Sequence, residues 1–190
     1  MGGKRRIGVL ALQGAFLEHQ QVLARLGCEA VRTRSADDLE RIDALILPGG
    51  ESTTIGRLLV DFRLGDLVRE KARAGMPVFG TCAGMILLAK EIIDSGQYRL
   101  GLMDMAVRRN AFGRQVESFE ADLSLRGIPR LVHGVFIRAP YAERIWGEAE
   151  LLAELDGKIV AVKQHKLLAV AFHPELTNDL SVHEFFLSMI

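Results

Sequence analysis

Residues 76–89 read MPVFGTCAGMILLA, with one apolar run entering Gly80-Thr81-Cys82-Ala83-Gly84 and a second leaving it. The pattern predicts a strand, a sharp turn and a helix. Glycines on both sides of such a turn let strand and helix approach closely while the middle side chain stands clear. That side chain is Cys82, which makes the stretch the thiol form of the G-x-S-x-G nucleophile elbow. A helix opening at Gly84 would aim its positive end and free N–H groups at the sulfur, and both favour the nucleophilic thiolate. The same residues also suit a small buried apolar cysteine, the usual environment of a free thiol.

Upstream, strands and helices alternate. Arg6 to Leu12 reads as a buried strand, followed by Gly14 and a helix from Ala15 to about Leu26. Glu29 to Thr33 reads as a second strand, and Ser35 with Asp38 three residues on resembles a capping box for a short helix. Asp43 to Leu47 is a third strand, running into the glycine turn Pro48-Gly49-Gly50-Glu51-Ser52-Thr53. Helices follow over Thr53 to Leu59 and Leu64 to Ala74. This order predicts an α/β fold with a central, mostly parallel sheet covered by helices on both faces and ligand chemistry at the carboxyl ends of its strands.

After a helix expected to run to about Ile92, the chain turns extended. Leu102 to Leu125 reads as strands interrupted by a polar loop over 108–114, with further strands at Val132 to Arg138, Ile159 to Val162 and Lys166 to Phe172. Additional antiparallel strands are therefore expected in the C-terminal half, closed by a helix from Ser181.

Composition narrows the function. The 190 residues are 49% apolar, enough for one domain with a substantial core. The 24 basic and 24 acidic residues cancel, giving no electrostatic case for nucleic acid or an anionic membrane. Two cysteines are too few for a disulfide framework and fit a reducing compartment, by default the cytoplasm. The basic N-terminus precedes a short apolar run that Gln13 interrupts, so it reads as a first strand rather than a signal. No stretch approaches the ~18 apolar residues of a membrane helix.

His173 ends an apolar strand, and Glu175 follows two positions on across a proline. In an extended segment both side chains fall on one side, where a carboxylate fixes the imidazole tautomer and stabilises the imidazolium formed by a thiol proton. Each residue alone also fits a strand end bonded to nearby backbone. Together with Cys82 at the same sheet edge they make a nucleophile triad. The N–H groups of Ala83 and Gly50 are candidate oxyanion donors, although Gly49-Gly50 equally suits an ordinary turn. Glu51 and Ser52 suit either substrate binding or helix capping.

PGGEST, GTCAG and HPEL, in this order in an alternating α/β chain, resemble a class I glutamine amidotransferase domain with its flavodoxin-like fold. IGVLALQGAFLEH, RRNAFGRQ and VFIRAP are similar more narrowly to glutaminase subunits of pyridoxal 5'-phosphate synthase. The resemblance covers essentially the whole chain as one glutaminase domain, residues 1–190. It implies Cys82 as nucleophile, His173 as general base and then acid, Glu175 as orienting carboxylate, and L-glutamine contacts from Gly50, Glu51, Ser52, Arg109, Ile137 and Arg138. An arginine suits the glutamine α-carboxylate and a carboxylate its α-ammonium, while Arg108 reads as surface charge. It further implies no cofactor, no metal, and a separate (β/α)8-barrel synthase subunit that receives the ammonia and makes pyridoxal 5'-phosphate in a hetero-oligomer. Another cysteine hydrolase or a DJ-1-like protein would share the elbow but leave PGGEST and the HPE pair without a common purpose. A non-catalytic module would not need all three triad members.

Overall fold

The computed structural model describes residues 4–110 and 118–190. Its first half runs β1 (Arg6–Leu10), α1 (Phe16–Arg25), β2 (Glu29–Thr33), α2 (Ala36–Leu39), β3 (Ala44–Leu47), α3 (Ser52–Asp61), α4 (Leu64–Arg73), β4 (Val78–Thr81) and α5 (Ala83–Leu88). The second half adds β5 (Ala89–Ile92), β6 (Met103–Arg108), β7 (Ser118–Ser124), β8 (Leu131–Ile137), β9 (Tyr141–Ile145), β10 (Glu150–Leu155), β11 (Lys158–Gln164), β12 (Leu167–Val170) and α6 (Ser181–Leu187).

The main sheet has the order β2-β1-β3-β4-β12-β11-β9-β6-β5, with β10 on β11. From β2 to β12 every pairing is parallel. Every residue of β3, β4 and β12 is buried, which is why these strands read as continuous apolar runs. Each fully buried Leu, Ile or Phe there is worth about 1.5–3 kcal/mol of hydrophobic transfer. Alternation along β4 assigns the two faces. Phe79 meets Phe186 of α6 at 5.3 Å between ring centroids, whereas a Cβ on Gly80 would run into the backbone of Gly84 in α5. The expected capping box forms, with Ser35 Oγ accepting from Asp38 N–H at 3.3 Å and Asp38 accepting from Ser35 N–H at 3.0 Å.

The second half departs from expectation in two places. The helix after the elbow stops at Leu88 instead of reaching Ile92, and 89–92 leaves as β5, parallel to β6. The carbonyls of Leu87 and Leu88 that would continue the helix accept instead from Leu100 N–H at 2.7 Å and Leu102 N–H at 2.9 Å. β9 and β10 were not anticipated. Ala149-Glu150-Leu151-Leu152-Ala153-Glu154-Leu155 has helix-favouring composition, but antiparallel pairing with β11, through two register shifts, overrides it.

The antiparallel half is tied together by Asp104. Its carboxylate accepts from Lys90 Nζ, from Gln164 Nε2 at 3.1 Å and from Glu148 N–H at 3.2 Å, and its N–H donates to Gln164 Oε1 at 2.6 Å. Contact with Lys90, against the opposing effect of burial, holds the Asp104 carboxyl below its usual range. β7 and β8 form a separate antiparallel hairpin. Phe136 of β8 stacks on Phe119 at 4.6 Å and reaches Phe172, just past β12, at 5.5 Å. His173 N–H then donates to Val135 O at 2.8 Å, so the hairpin end sits against the carboxyl edge of the main sheet.

Candidate active site

Cys82 is the N-cap of α5, with φ 48° and ψ −101°. A non-glycine residue there carries backbone strain, which the surroundings must overcome. They do so through a hydrogen bond from Cys82 N–H to Val170 O at 2.9 Å and through two close glycine contacts. A Cβ on Gly80 would lie 2.5 Å from the Gly84 carbonyl carbon, and one on Gly84 would overlap the carbonyl oxygen of Leu47. Glycines thus bring β3, β4 and α5 to backbone contact and leave the thiol at the sheet's carboxyl edge, where Sγ lies 3.9 Å from Ile137 O.

β12 is parallel to β4, with Val170 opposite Thr81, and so delivers His173 to the same edge. His173 Nδ1 is 2.7 Å from Glu175 Oε1. The local geometry is not the extended segment expected. Pro174–Leu176 is a single 3-10 turn, with proline's fixed φ opening it and Leu176 N–H bonded to His173 O at 3.3 Å. The turn, rather than strand alternation, folds the carboxylate back onto the imidazole. Burial works against a charge on His173, but contact with Cys82 and Glu175 outweighs it and pushes the imidazole up to about 10. Burial would likewise raise Glu175, yet His19 first and His173 second hold its carboxyl below the usual range. Carboxylate and imidazolium are therefore the resting forms at neutral pH.

The glycine turn after β3 closes over this pair. A Cβ on Gly49 would overlap the His173 ring, so only glycine admits the imidazole. Gly14, at φ +104°, packs on the Gly49 carbonyl, which also accepts from Ala15 N–H at 2.9 Å. Gln13 Oε1 accepts from Glu51 N–H at 2.8 Å. Glu51 occupies the N-cap of α3 without a side-chain capping bond, leaving its exposed carboxylate to accept from Thr53 Oγ1 at 3.1 Å. Ser52 is buried and donates to Gln97 Oε1 at 3.3 Å, and the same oxygen accepts from Arg109 Nη1.

A cavity of about 310 Å³ brings Gly50, Glu51 and Ser52 together with Cys82 and His173 on one side and Arg109, Ile137 and Arg138 on the other. Its volume suits an amino-acid-sized ligand, and it offers cationic, anionic and backbone groups to one. Ala83 lies beneath as the first residue of α5, so its N–H falls outside the intrahelical ladder. Glu175 is buried behind His173. Arg108 turns away to Glu143 at 2.7 Å and Asp94 at 3.1 Å, consistent with surface charge. The polar loop over 108–114 is described only as far as Asn110; 111–115 of RRNAFGRQ lie outside the described residues. Among the described residues no helix is long and apolar enough to cross a membrane, and no His, Cys, Asp and Glu group of three or more could hold a metal ion.

The family model described as the SNO glutamine amidotransferase family matches residues 9–190. The chain belongs to this family. Among curated relatives, it is 61% identical over 189 residues to the pyridoxal 5'-phosphate synthase subunit PdxT of Moorella thermoacetica, covering 97% of this chain and 99% of that one. It is 59% identical over 186 residues to PdxT of Pelotomaculum thermopropionicum, covering 96% and 93%. A crystal structure of a glutamine amidotransferase superposes with a TM-score of 0.93 at 52% identity, over 96% of this chain and 97% of that one. At 18% identity, PurLQS from Thermotoga maritima superposes with a TM-score of 0.70 over 98% and 99% and shares the fold. The class I amidotransferase fold expected from the motifs is the one observed.

Four side chains of this amidotransferase site were not singled out from sequence. Gln13 had a signal, since it follows β1 at the sheet edge that also carries Gly49 and Cys82. Gln97, His19 and His183 had none. Gln97 lies between regular elements, and the two histidines sit on helix faces among apolar residues.

Proposed function

We propose that this chain hydrolyses L-glutamine to L-glutamate and ammonia, and that it passes the ammonia to a separate pyridoxal 5'-phosphate synthase subunit of (β/α)8-barrel form. The observation that carries this reading is that Cys82 and His173 line one amino-acid-sized cavity while Glu175 holds His173 from behind at 2.7 Å, in a chain so similar to PdxT proteins. The whole chain acts as one cytoplasmic glutaminase domain without a metal or cofactor of its own.

The glutamine side chain enters toward Cys82. Arg109 and Arg138 face its α-carboxylate, and Glu51 its α-ammonium, with Ser52 and the Ile137 backbone completing the contacts. Thiolate Cys82 attacks the side-chain amide carbon, and the oxyanion rests on the N–H groups of Gly50 and Ala83. The His173 imidazolium gives its proton to the departing nitrogen, ammonia leaves, and a γ-glutamyl thioester remains on Sγ. Neutral His173 then takes a proton from water as the water attacks the thioester, releasing glutamate and regenerating thiolate and imidazolium. Glu175 holds the imidazole by Nδ1 and offsets its charge throughout.

The deciding experiment is glutamate release from glutamine by the purified chain, alone and with its cognate synthase subunit. Cys82→Ala is expected to abolish release, lowering it by at least ~1,000-fold, while the far-UV circular dichroism and melting profile stay those of the native fold. Release that rises with the synthase subunit supports ammonia transfer within a complex. Substantial release from folded Cys82→Ala would remove the thiol mechanism.

A further inference from the structure

Behind the triad lies a second polar cluster that the reaction above does not use. His19 of α1 and His183 of α6 are both fully buried, with His19 Nδ1 2.9 Å from His183 Nε2. His19 Nε2 is 3.2 Å from Thr81 Oγ1, at the end of β4, and 3.5 Å from Glu175 Oε2. Two buried atoms in this cluster have no hydrogen-bond partner among the described residues: Glu175 Oε2 and His183 Nδ1.

Those two atoms decide which way the protons point. If His19 carried its proton on Nδ1, its Nε2 lone pair would face the carboxylate oxygen, and His183 would need its own proton on Nδ1, a buried donor with nothing to receive it. Both are costly in a dry interior. If His183 is protonated on Nε2, it donates to His19 Nδ1, and the His19 proton on Nε2 goes to Thr81 Oγ1 at 3.2 Å with its positive end facing Glu175 Oε2 at 3.5 Å. The atoms left over are then acceptors only, a lone pair on His183 Nδ1 and the Glu175 Oε2 that faces the His19 N–H. This second arrangement is the favoured one, and in it His183 donates to His19 and the His19 N–H faces Thr81 and Glu175.

We infer that His19, held in this tautomer by His183, is a positioning residue for the triad: its N–H faces the far oxygen of Glu175 from 3.5 Å while His173 holds the near one at 2.7 Å, keeping the carboxylate charged and aimed at the imidazole. The inference rests on the Cys82–His173–Glu175 reading and extends it inward. Burial keeps His19 below its usual value and takes His183 to about 3, so both are neutral and neither competes with His173 for the charge. Other groups border Glu175 at greater remove. Glu18 and Arg25 of α1, and Glu120 and His133 of the β7–β8 hairpin, line the cavity on whose wall it lies, and Cys82 stands beyond His173.

The test compares His19→Leu, His19→Gln and His183→Leu in complex with the cognate synthase subunit. His19→Leu is expected to lower kcat about ten- to a hundredfold, the scale of one hydrogen bond to a charge, with KM changed by less than about twofold. The acid limb of kcat/KM, set by protonation of Glu175, moves to higher pH because a group that held the carboxylate ionised is gone. His19→Gln, which keeps a donor at the end of a similar reach, restores most of both. His183→Leu frees the His19 tautomer and moves the acid limb the same way by a smaller amount.

The rate of Cys82 alkylation by iodoacetamide against pH gives a readout that needs no turnover, and its acid limb shifts in parallel. A folded His19→Leu with the wild-type acid limb in both assays overturns the inference. Should His19→Leu fail to fold, an unmoved limb in His183→Leu overturns it. A wild-type complex that releases no glutamate would instead remove the glutaminase reading itself.

Discussion

The parallel and antiparallel sides of the sheet contribute to the site in different ways. On the parallel side, β1, β3, β4 and β12 end at one edge and deliver Gln13, Gly49–Gly50, Cys82 and His173 within a few residues of a buried strand. On the other side, Arg109 follows β6 and the Ile137–Arg138 pair ends β8, each at or just past the end of a strand that pairs antiparallel with a neighbour. The groups that must meet to within tenths of an ångström are fixed by backbone packed on backbone. Those proposed to hold a flexible substrate reach in on side chains steadied by single polar contacts, as Gln97 steadies Arg109.

The strongest way to break this contrast is a methyl group on the parallel side. Gly84→Ala sets a Cβ against the Leu47 carbonyl, a backbone atom in a fully buried strand that cannot swing aside. The expected loss is about 3 kcal/mol or more in urea unfolding, together with loss of Cys82 reactivity, because the elbow and the strand must separate. A near-neutral Gly84→Ala would show that β3 and α5 are not as closely locked as their contact requires.

That difference also governs what the sequence revealed. β1, β3, β4 and β12 were legible because a strand buried on both faces leaves an uninterrupted apolar run, and glycines near the ends of the first three and His173-Pro174 after the last mark where it stops. β9 and β10 were not. Tyr141-Ala142-Glu143-Arg144-Ile145 is partly exposed, and the shifted pairing of β10 breaks the two-residue period that would announce a strand. In the site, the meeting of Cys82, His173 and Glu175 was legible from strand ends, and the residues proposed to bind glutamine, all of which line the cavity, from the family resemblance. The expected reason for the His173–Glu175 contact was wrong, since proline and a 3-10 turn make it. His19 and His183 were illegible for a different reason. A buried histidine on an amphipathic helix has the spacing of any core residue, and only the fold brings these two together across 164 positions.

A smaller effect sharpens the contrast by pH. The buried face of the parallel side holds His183 at about 3, whereas in the unfolded chain it titrates near its ordinary 6.5. Between those values the unfolded state binds the proton and the folded state does not, so His183 contributes stability that is present above about pH 6.5 and is lost as pH falls toward 3. His19 acts in the same direction. His173 acts in the opposite one, its contribution being full below its unfolded value and lost as pH rises toward about 10. That contribution is common to wild type and His183→Leu, so it cancels in their comparison. Unfolding free energies near pH 7 and pH 5 should therefore differ by roughly 2 kcal/mol more in the wild type than in His183→Leu. Equal differences would mean that His183 is protonated in the fold and that the tautomer chain behind Glu175 is not the resting state.

The weakest expected effect comes from the antiparallel side, and it matters because the backbone there is no less unusual. Gly157, in the turn between β10 and β11, has φ +73°, well inside the region that favours glycine, yet a Cβ placed on it meets nothing within 4 Å. Gly157→Ala therefore incurs only the intrinsic penalty of a left-handed residue, about 1 kcal/mol. The neighbouring Asp156 already sits at φ 49°. Gly157→Asn should recover most of the loss, and glutaminase activity should be unchanged in both. A positive φ at Cys82 and a positive φ at Gly157 are the same backbone conformation in sign only. At the elbow the surroundings enforce it through contacts that a methyl group would destroy, while in the turn the chain merely passes through it. If Gly157→Ala proved as damaging as Gly84→Ala, the rigidity of the site would belong to glycine conformations in general rather than to the packing of strand against helix beneath Cys82.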